Sequence, residues 1–219
     1  MNNETRVLTQ TYKDDGGSYQ EWSRAAGLAA KRAFDILFSL LAIVIFFIPC
    51  IFISLFIWLE DRHSPLFRQE RIGLGGRPFM LYKFRSMRID AEKDNSPSLC
   101  QGSDSRLSKV GAVIRAHHLD EFPQLWNVLR GDMSFVGHRP ERRYFIERIS
   151  ERADGYERLY ALRPGLFSNA TLYNGYTDTI EKMITRLEMD LDYLENRSLA
   201  LDVKIIFKTT VTILTGKKF

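Results

Sequence analysis

Cysteine is scarce in this chain, with Cys50 and Cys100 the only two among 219 residues. One lies in an apolar run and the other in a polar stretch, which makes neither a disulfide framework nor a cysteine metal motif. A reducing compartment fits. Histidine occupies four positions. His117 and His118 match no metal spacing such as two histidines at i and i+4 with a glutamate between them, and His63 and His138 are isolated. No internal repeat is visible. No secretory leader is expected: the apolar run starts too late, is too long, and is followed by no small-residue cleavage site. A nucleic-acid partner is not expected either, because no recognised motif accompanies the basic charge.

What the chain does have is an uncharged run over residues 36–59, ILFSLLAIVIFFIPCIFISLFIWL, interrupted by Pro49. About 20 apolar residues suffice to cross a bilayer core. Proline lacks the backbone donor and clashes with the preceding turn, so the segment can bend back as well as cross. Both flanks are basic: Arg24, Lys31 and Arg32 before, Arg62, Arg68 and Arg71 after. The positive-inside rule would keep each flank cytoplasmic. A hairpin entering and leaving by one leaflet satisfies both flanks, but a kinked bitopic span is also tolerated by membrane helices. The residues alone leave both readings open. From Arg24 to Arg88 there are ten Lys/Arg against four Asp/Glu, a surplus that anionic leaflets attract.

Three segments are distinguished along the chain. Residues 1–23 are polar and without apolar period, and read as a flexible extension. Residues 24–59 form the membrane unit. Residues 60–219 form the soluble domain, long enough to bury a core. Strands are expected over 66–72 and 79–85, with Gly73, Gly75, Gly76 and Pro78 turning the hairpin. Alternation in the second strand puts Met80, Tyr82 and Phe84 on one face and Lys83 and Arg85 on the other. Helices are expected at 105–116, from Phe122 to Gly131 with Phe122, Leu125, Trp126 and Leu129 on one stripe, across 140–162, at 178–195 and at 199–214. Residues 90–104 read as a loop and 166–176 as a turn region. The last helix carries Val203, Ile206, Phe207, Thr210, Val211 and Leu214 on one stripe, read as core-facing, with the membrane interface as the alternative. The fold class is α+β: a small, mostly helical domain with a short β-hairpin, attached to a proline-broken membrane helix.

The sharpest chemical candidate is the adjacent pair Asp120 and Glu121 at a helix entry. Free N–H groups there favour an ionised carboxylate or a bound phosphate. A carboxylate beside phosphate-binding arginines can attack phosphorus, and a neighbouring acid can help hold Mg²⁺. Acids in a first turn also stabilise helices without any catalytic role. Arg115 lies close by in sequence. Beyond the helix, Arg139 could bind phosphate bidentately. Asp132 follows the helix too, and Glu141 could join a metal site or pair with Arg139. Lys83 and Arg85 could contact diphosphate or form a solvated basic face.

The ordered blocks sharpen this. They are Lys31-Arg32-x-Phe34-Asp35, the proline-broken run, Phe67-x-Gln69-x-Arg71-x-Gly73, Lys83-Phe84-Arg85-Ser86-Met87 and Leu119-Asp120-Glu121-x-Pro123-Gln124-Leu125. Asn127 through Gly137, Arg139-Pro140, Arg163-Pro164-Gly165 and Leu201-Asp202-x-Lys204-Ile205 complete the set. From about residue 30 onward the chain resembles the bacterial sugar transferases, monotopic polyprenol-phosphate phosphoglycosyl transferases. That resemblance implies a re-entrant helix with both ends cytoplasmic, at the bacterial inner membrane. It implies transfer of a sugar-1-phosphate from a UDP-sugar to undecaprenyl phosphate with release of UMP, opening the assembly of a capsule, O-antigen, exopolysaccharide or glycoprotein glycan. Asp120 matches the family nucleophile, Glu121 its dyad partner and Arg115 a phosphate contact, and Mg²⁺ is implied as cofactor, held by Asp120 and Glu121. A homodimer is compatible with the sequence.

Three departures stand out: Ile48-Pro49 where the family usually has Ser-Pro, Gly137-His138-Arg139-Pro140 where it often has Gly-Pro-Arg-Pro, and Leu166-Phe167-Ser168 after Pro164-Gly165 where it often has Ile-Thr-Gly. Two other classes are weighed beside the transferase. One is a membrane-bound metal-dependent phosphatase or hydrolase using His117, His118 and the acids. The other is a non-catalytic membrane adaptor.

Overall fold

The computed structural model describes residues 18–91, 99, 104–175 and 177–215. Residues 1–17 of the N-terminal extension, and 92–98 and 100–103 of the expected loop, lie outside the described residues. Two units are distinguished, Met1–Phe34 and Asp35–Phe219. The described part of the first is helical. The second holds the apolar run and the soluble domain.

Helix α1, Ser18–Asp61, contains Pro49 without an intervening turn. Its stretch Ala26–Asp61 is long and apolar enough to cross a membrane. Val44, Phe47 and Ile48 are each more than 60% exposed (67%, 61% and 63%). Apolar side chains left so bare over several turns fit hydrocarbon rather than water. The helix nevertheless meets the soluble domain at both ends of the apolar run. Near the start of that run Asp35, buried, accepts hydrogen bonds from Ser134 Oγ at 3.1 Å and Phe135 N at 3.0 Å. At its end Glu60 caps the next helix, accepting from Lys109 N at 2.7 Å and Val110 N at 3.2 Å. A carboxylate suits those free N–H groups.

The chain leaves α1 through Arg62, at φ 63°, with its guanidinium 4.2 Å above the Trp58 ring. Strands β1 (Leu66–Ile72) and β2 (Pro78–Phe84) pair antiparallel, Leu66 opposite Phe84 and Ile72 opposite Pro78. The glycine-rich turn between them supplies the positive φ at Gly75 and Gly76, which glycine adopts without a Cβ penalty. The alternation expected for β2 is only partly kept, because Leu81 is buried with Phe84 while Met80 is exposed.

Helix α2, Lys109–Ala116, starts four residues later than the spacing predicts. Its first turn is fixed by Ser108, whose Oγ accepts from Gly111 N. A 3-10 turn, Leu119–Glu121, precedes α3, Gln124–Arg130. The face of α3 turned inward is Gln124, Leu125, Asn127 and Val128, and Trp126 is exposed. That corrects the expected stripe. Asn127 explains the rotation: its Oδ1 accepts from Tyr82 N and its Nδ2 donates to Met80 O. A buried amide thereby completes the free edge of β2.

Three-residue strands β3 (Ser134–Val136) and β4 (Gly165–Phe167) pair in parallel. A Cβ on Gly165 would overlap the backbone of Gly137, so glycine is required for this approach. The helix expected across 140–162 divides into α4, Arg143–Ser150, and a 3-10 segment, Tyr156–Ala161, with Gly155 at φ 90° between them. The expected turn region 166–176 holds the end of β4 and a short helix, α5, Asn169–Asn174. Helices α6, Ile180–Asn196, and α7, Leu199–Leu214, complete the fold. On α7 the inward residues are Asp202, Ile205 and Thr209, and Val203, Phe207 and Val211 are exposed. The stripe read as core-facing is therefore the outer one.

One core joins Ile72 to Phe145, Ile149, Leu159, Met183 and Leu187. A second joins Ile57 of α1 to Phe84 and Ile114, with Leu119 and Phe122 packed on it. The second core lies under the turn that carries the acidic pair.

Candidate active site

Asp120 and Glu121 stand in the 3-10 turn before α3 rather than in its first helical turn. The turn is entered through His118 at φ 55°, a left-handed conformation that costs a β-carbon-bearing residue energy. Glu121 N donates to His118 O, and Phe122 N donates to Leu119 O. Leu119 and Phe122 anchor the turn in the second core, and the Phe122 ring lies 4.5 Å from that of Phe46 in α1. The acids are thus aimed by apolar packing on both sides.

The two carboxylates meet different surroundings. Glu121 Oε1 receives Lys83 Nζ at 2.8 Å and Arg139 Nη2 at 3.5 Å. Burial alone would raise its pKa, but the Lys83 ammonium and Arg139 guanidinium outweigh that and hold it below the usual carboxylate range. Asp120 is 6% exposed and makes no hydrogen bond or ion pair among the described residues. Burial pushes its pKa up to about 6, against the opposing pull of Lys83. The pair therefore consists of one pinned carboxylate and one more basic carboxylate with open lone pairs, an asymmetry that separates chemical roles.

Both acids line a cleft of about 670 Å³. Arg115, Lys83, Arg85, Arg139 and Glu141 line it too. Glu141 reaches no metal position: its carboxylate is held between Arg186 and Arg71, the latter at 3.2 Å. Arg85 reaches the cleft wall, but its guanidinium is bidentate to Asp61, and Nε donates to Ser64 O. It fastens the end of α1 to the hairpin. Asp132 lies apart from the cleft lining, accepting from Asn127 Nδ2 at 3.2 Å behind α3. Arg71 and Arg186, which the sequence did not mark as site residues, also line the cleft. The Phe67-x-Gln69-x-Arg71 block is the signal that could have found Arg71.

No group of three or more His, Cys, Asp or Glu among the described residues is placed to hold a metal. His117 and His118 therefore do not join the acids in a zinc-type set. Two adjacent hard carboxylates fit Mg²⁺, which takes one or two carboxylates and completes its shell with substrate phosphate and water. The residues present would be Asp120 and Glu121.

A helix with a long apolar run, docked to the polar domain at both ends of that run, and a carboxylate pair set among arginines and a lysine in one cleft define a domain with a membrane-type helix and a charged site. The family model described as bacterial sugar transferase matches residues 26–216, and the chain belongs to that family. It is 40% identical over 186 residues to the UDP-N-acetylgalactosamine-undecaprenyl-phosphate N-acetylgalactosaminephosphotransferase of Aeromonas hydrophila, covering 85% of this chain and 44% of that protein. It is 39% identical to the UDP-glucose:undecaprenyl-phosphate glucose-1-phosphate transferase of Caulobacter vibrioides, covering 84% and 70%. It is 38% identical to the exopolysaccharide production protein PSS of Rhizobium leguminosarum, covering 88% and 99%. The chain thus spans less than half of the Aeromonas relative's length and nearly all of the Rhizobium one's.

Proposed function

We propose that this chain transfers a sugar-1-phosphate from a UDP-sugar to undecaprenyl phosphate, releasing UMP, as a membrane step of bacterial glycan assembly. The observation that carries the reading is Asp120: a buried carboxylate of raised basicity, open to a cationic cleft, next to an acid pinned by Lys83 and Arg139. The names of the relatives support the substrate classes.

An Asp120 oxygen attacks the sugar-bearing phosphorus of the donor. The bond from that phosphorus to the bridging oxygen breaks, and UMP leaves with the electron pair. Asp120 then carries the sugar phosphate as an acyl phosphate. A phosphate oxygen of the lipid attacks the same phosphorus, and the Asp120 carboxylate is released. The cations lower the cost of bringing anion to anion. Lys83 and Arg139 keep Glu121 ionised and fixed, so Asp120 is the carboxylate free to react. When bound at Asp120 and Glu121, Mg²⁺ would supply charge neutralisation for the diphosphate.

The anchor supports a re-entrant arrangement. Asp35 and Glu60 lie at opposite ends of the apolar run, yet both hydrogen-bond to the same soluble domain. A polar domain stays on one side of a bilayer, so both ends of the run belong on that side. The domain then faces the cytoplasm, where nucleotide sugars are made.

Purified protein incubated with undecaprenyl phosphate and a panel of UDP-sugars tests the reading. UMP release, with sugar phosphate appearing on the lipid, is expected. Free sugar phosphate with no lipid product would assign a hydrolase instead.

A further inference from the structure

Helix α7 and the residue that caps its end carry four threonines, and three follow one habit. Thr210 Oγ1 donates to Ile206 O, Thr212 to Lys208 O and Thr215, at the cap, to Val211 O. Each bonds back to the preceding turn, the usual resource of a helical hydroxyl. Thr209 differs. It is 5% exposed, and its Oγ1 has no hydrogen-bond partner. The side chain lines the same cleft as Asp120. A buried hydroxyl left unpaired is costly, so this one points to a ligand group.

The chemistry of that group follows from the wall around it. Helix α7 packs on β3, β4 and α5. These elements give the cleft Phe135, Phe167 and Thr171, with Ser168 between β4 and α5, and α7 adds Thr209 and Ile213. Ser168 Oγ is already committed, donating to Asp190 and accepting from Ala170 N. No cation among the described cleft residues comes from α7, β3, β4 or α5; the cations sit on the hairpin and the segments after it, beside the dyad and on α6. A phosphate would be poorly served here. A neutral ligand with apolar C–H faces and hydroxyl or amide oxygens is well served, since aromatic rings and an isolated hydroxyl give contact area with one oriented hydrogen bond.

We propose that Thr209 hydrogen-bonds a hydroxyl or acylamino group of the donor's sugar ring and sets which UDP-sugar is used. This rests on the transferase reading above. The residue does not touch the reacting phosphorus; it is a specificity-determining contact.

The test is the set of kcat/KM values for UDP-glucose, UDP-galactose, UDP-N-acetylglucosamine and UDP-N-acetylgalactosamine, read by UMP release, in the full chain and in Thr209→Val and Thr209→Ser. Thr209→Val keeps the volume and removes the hydroxyl. It should lower kcat/KM for the preferred donor roughly tenfold or more relative to a donor differing at one ring substituent. Thr209→Ser should keep the wild-type order, and KM for undecaprenyl phosphate should not move. Ratios between donors do not depend on the fraction folded, so partial misfolding of Thr209→Val leaves the test intact. Unchanged donor ratios in Thr209→Val, or a change confined to the lipid's KM, overturn the proposal while the transferase reading stands. Wild-type turnover of none of the four donors, nor of any other UDP-sugar, overturns both.

Discussion

Asp35 Oδ1 accepts hydrogen bonds from the hydroxyl of Ser134 and the backbone N–H of Phe135, 99 and 100 residues further along the chain. All three groups are buried, so the start of the apolar run and strand β3 share one polar contact inside the domain. Asp35→Ala removes the acceptor shared by two buried donors, at a cost of about 1–3 kcal/mol for each. A lower thermal midpoint in detergent and faster proteolysis between α1 and the domain are expected. Asp35→Asn keeps one acceptor and should lose less.

The same contact, with Glu60 on Lys109 and Val110 at the far end, makes a topological prediction. In a background lacking Cys50 and Cys100, single cysteines at Ala26 and Ser64 should react with an impermeant thiol reagent from the same face of sealed membranes. Labelling from opposite faces would mean that α1 spans.

Lys83 is the largest force holding Glu121 charged, and it also lowers the pKa of Asp120 against the effect of burial. An attacking carboxylate must be ionised. Activity should therefore rise with pH through about 6 rather than through the ordinary range near 4. Lys83→Met should lower kcat/KM by roughly 100-fold, the scale seen when one electrostatic partner is removed. It should also move the acid limb to higher pH, because the opposing cation is gone. A pH–rate profile of both proteins checks the two effects. An activity loss with an unmoved limb would make Lys83 a purely structural residue.

His138 is buried with neither ring nitrogen partnered. Burial lowers its pKa from 6.5 to about 4. Between those values the unfolded chain binds a proton that the folded chain does not. Stability is thus complete above about 6.5 and is lost as pH falls toward 4, by roughly 3 kcal/mol at full extent. Denaturant midpoints at pH 7 and 5 should differ for the wild type. The difference should shrink in His138→Phe, whose ring does not titrate.

Much of the frame was legible because local chemistry dictates it. Glycines and Pro78 punctuate the hairpin, and its strands fall within a residue of the expected bounds. The bounds of α7 follow from its apolar period. The dyad was legible through ordered blocks rather than spacing. Long-range pairings were not. Three-residue strands have no period to read, so the parallel β3–β4 pair was invisible. Arg85 chose Asp61, and Glu141 chose Arg71 and Arg186, selections made by packing between distant segments. The inward face of α7 was misread because its most apolar stripe faces outward, where periodicity alone assigns it to a core.

The most direct measurement is peptide mass spectrometry of protein incubated with its UDP-sugar and Mg²⁺ without lipid acceptor. The peptide bearing Asp120 should gain the mass of one sugar phosphate and lose it when undecaprenyl phosphate is added. Asp120→Asn should show no adduct and at least roughly a thousandfold less UMP release. An unmodified Asp120 peptide in a sample that releases UMP, or robust transfer by Asp120→Asn with deamidation excluded, would contradict the covalent mechanism.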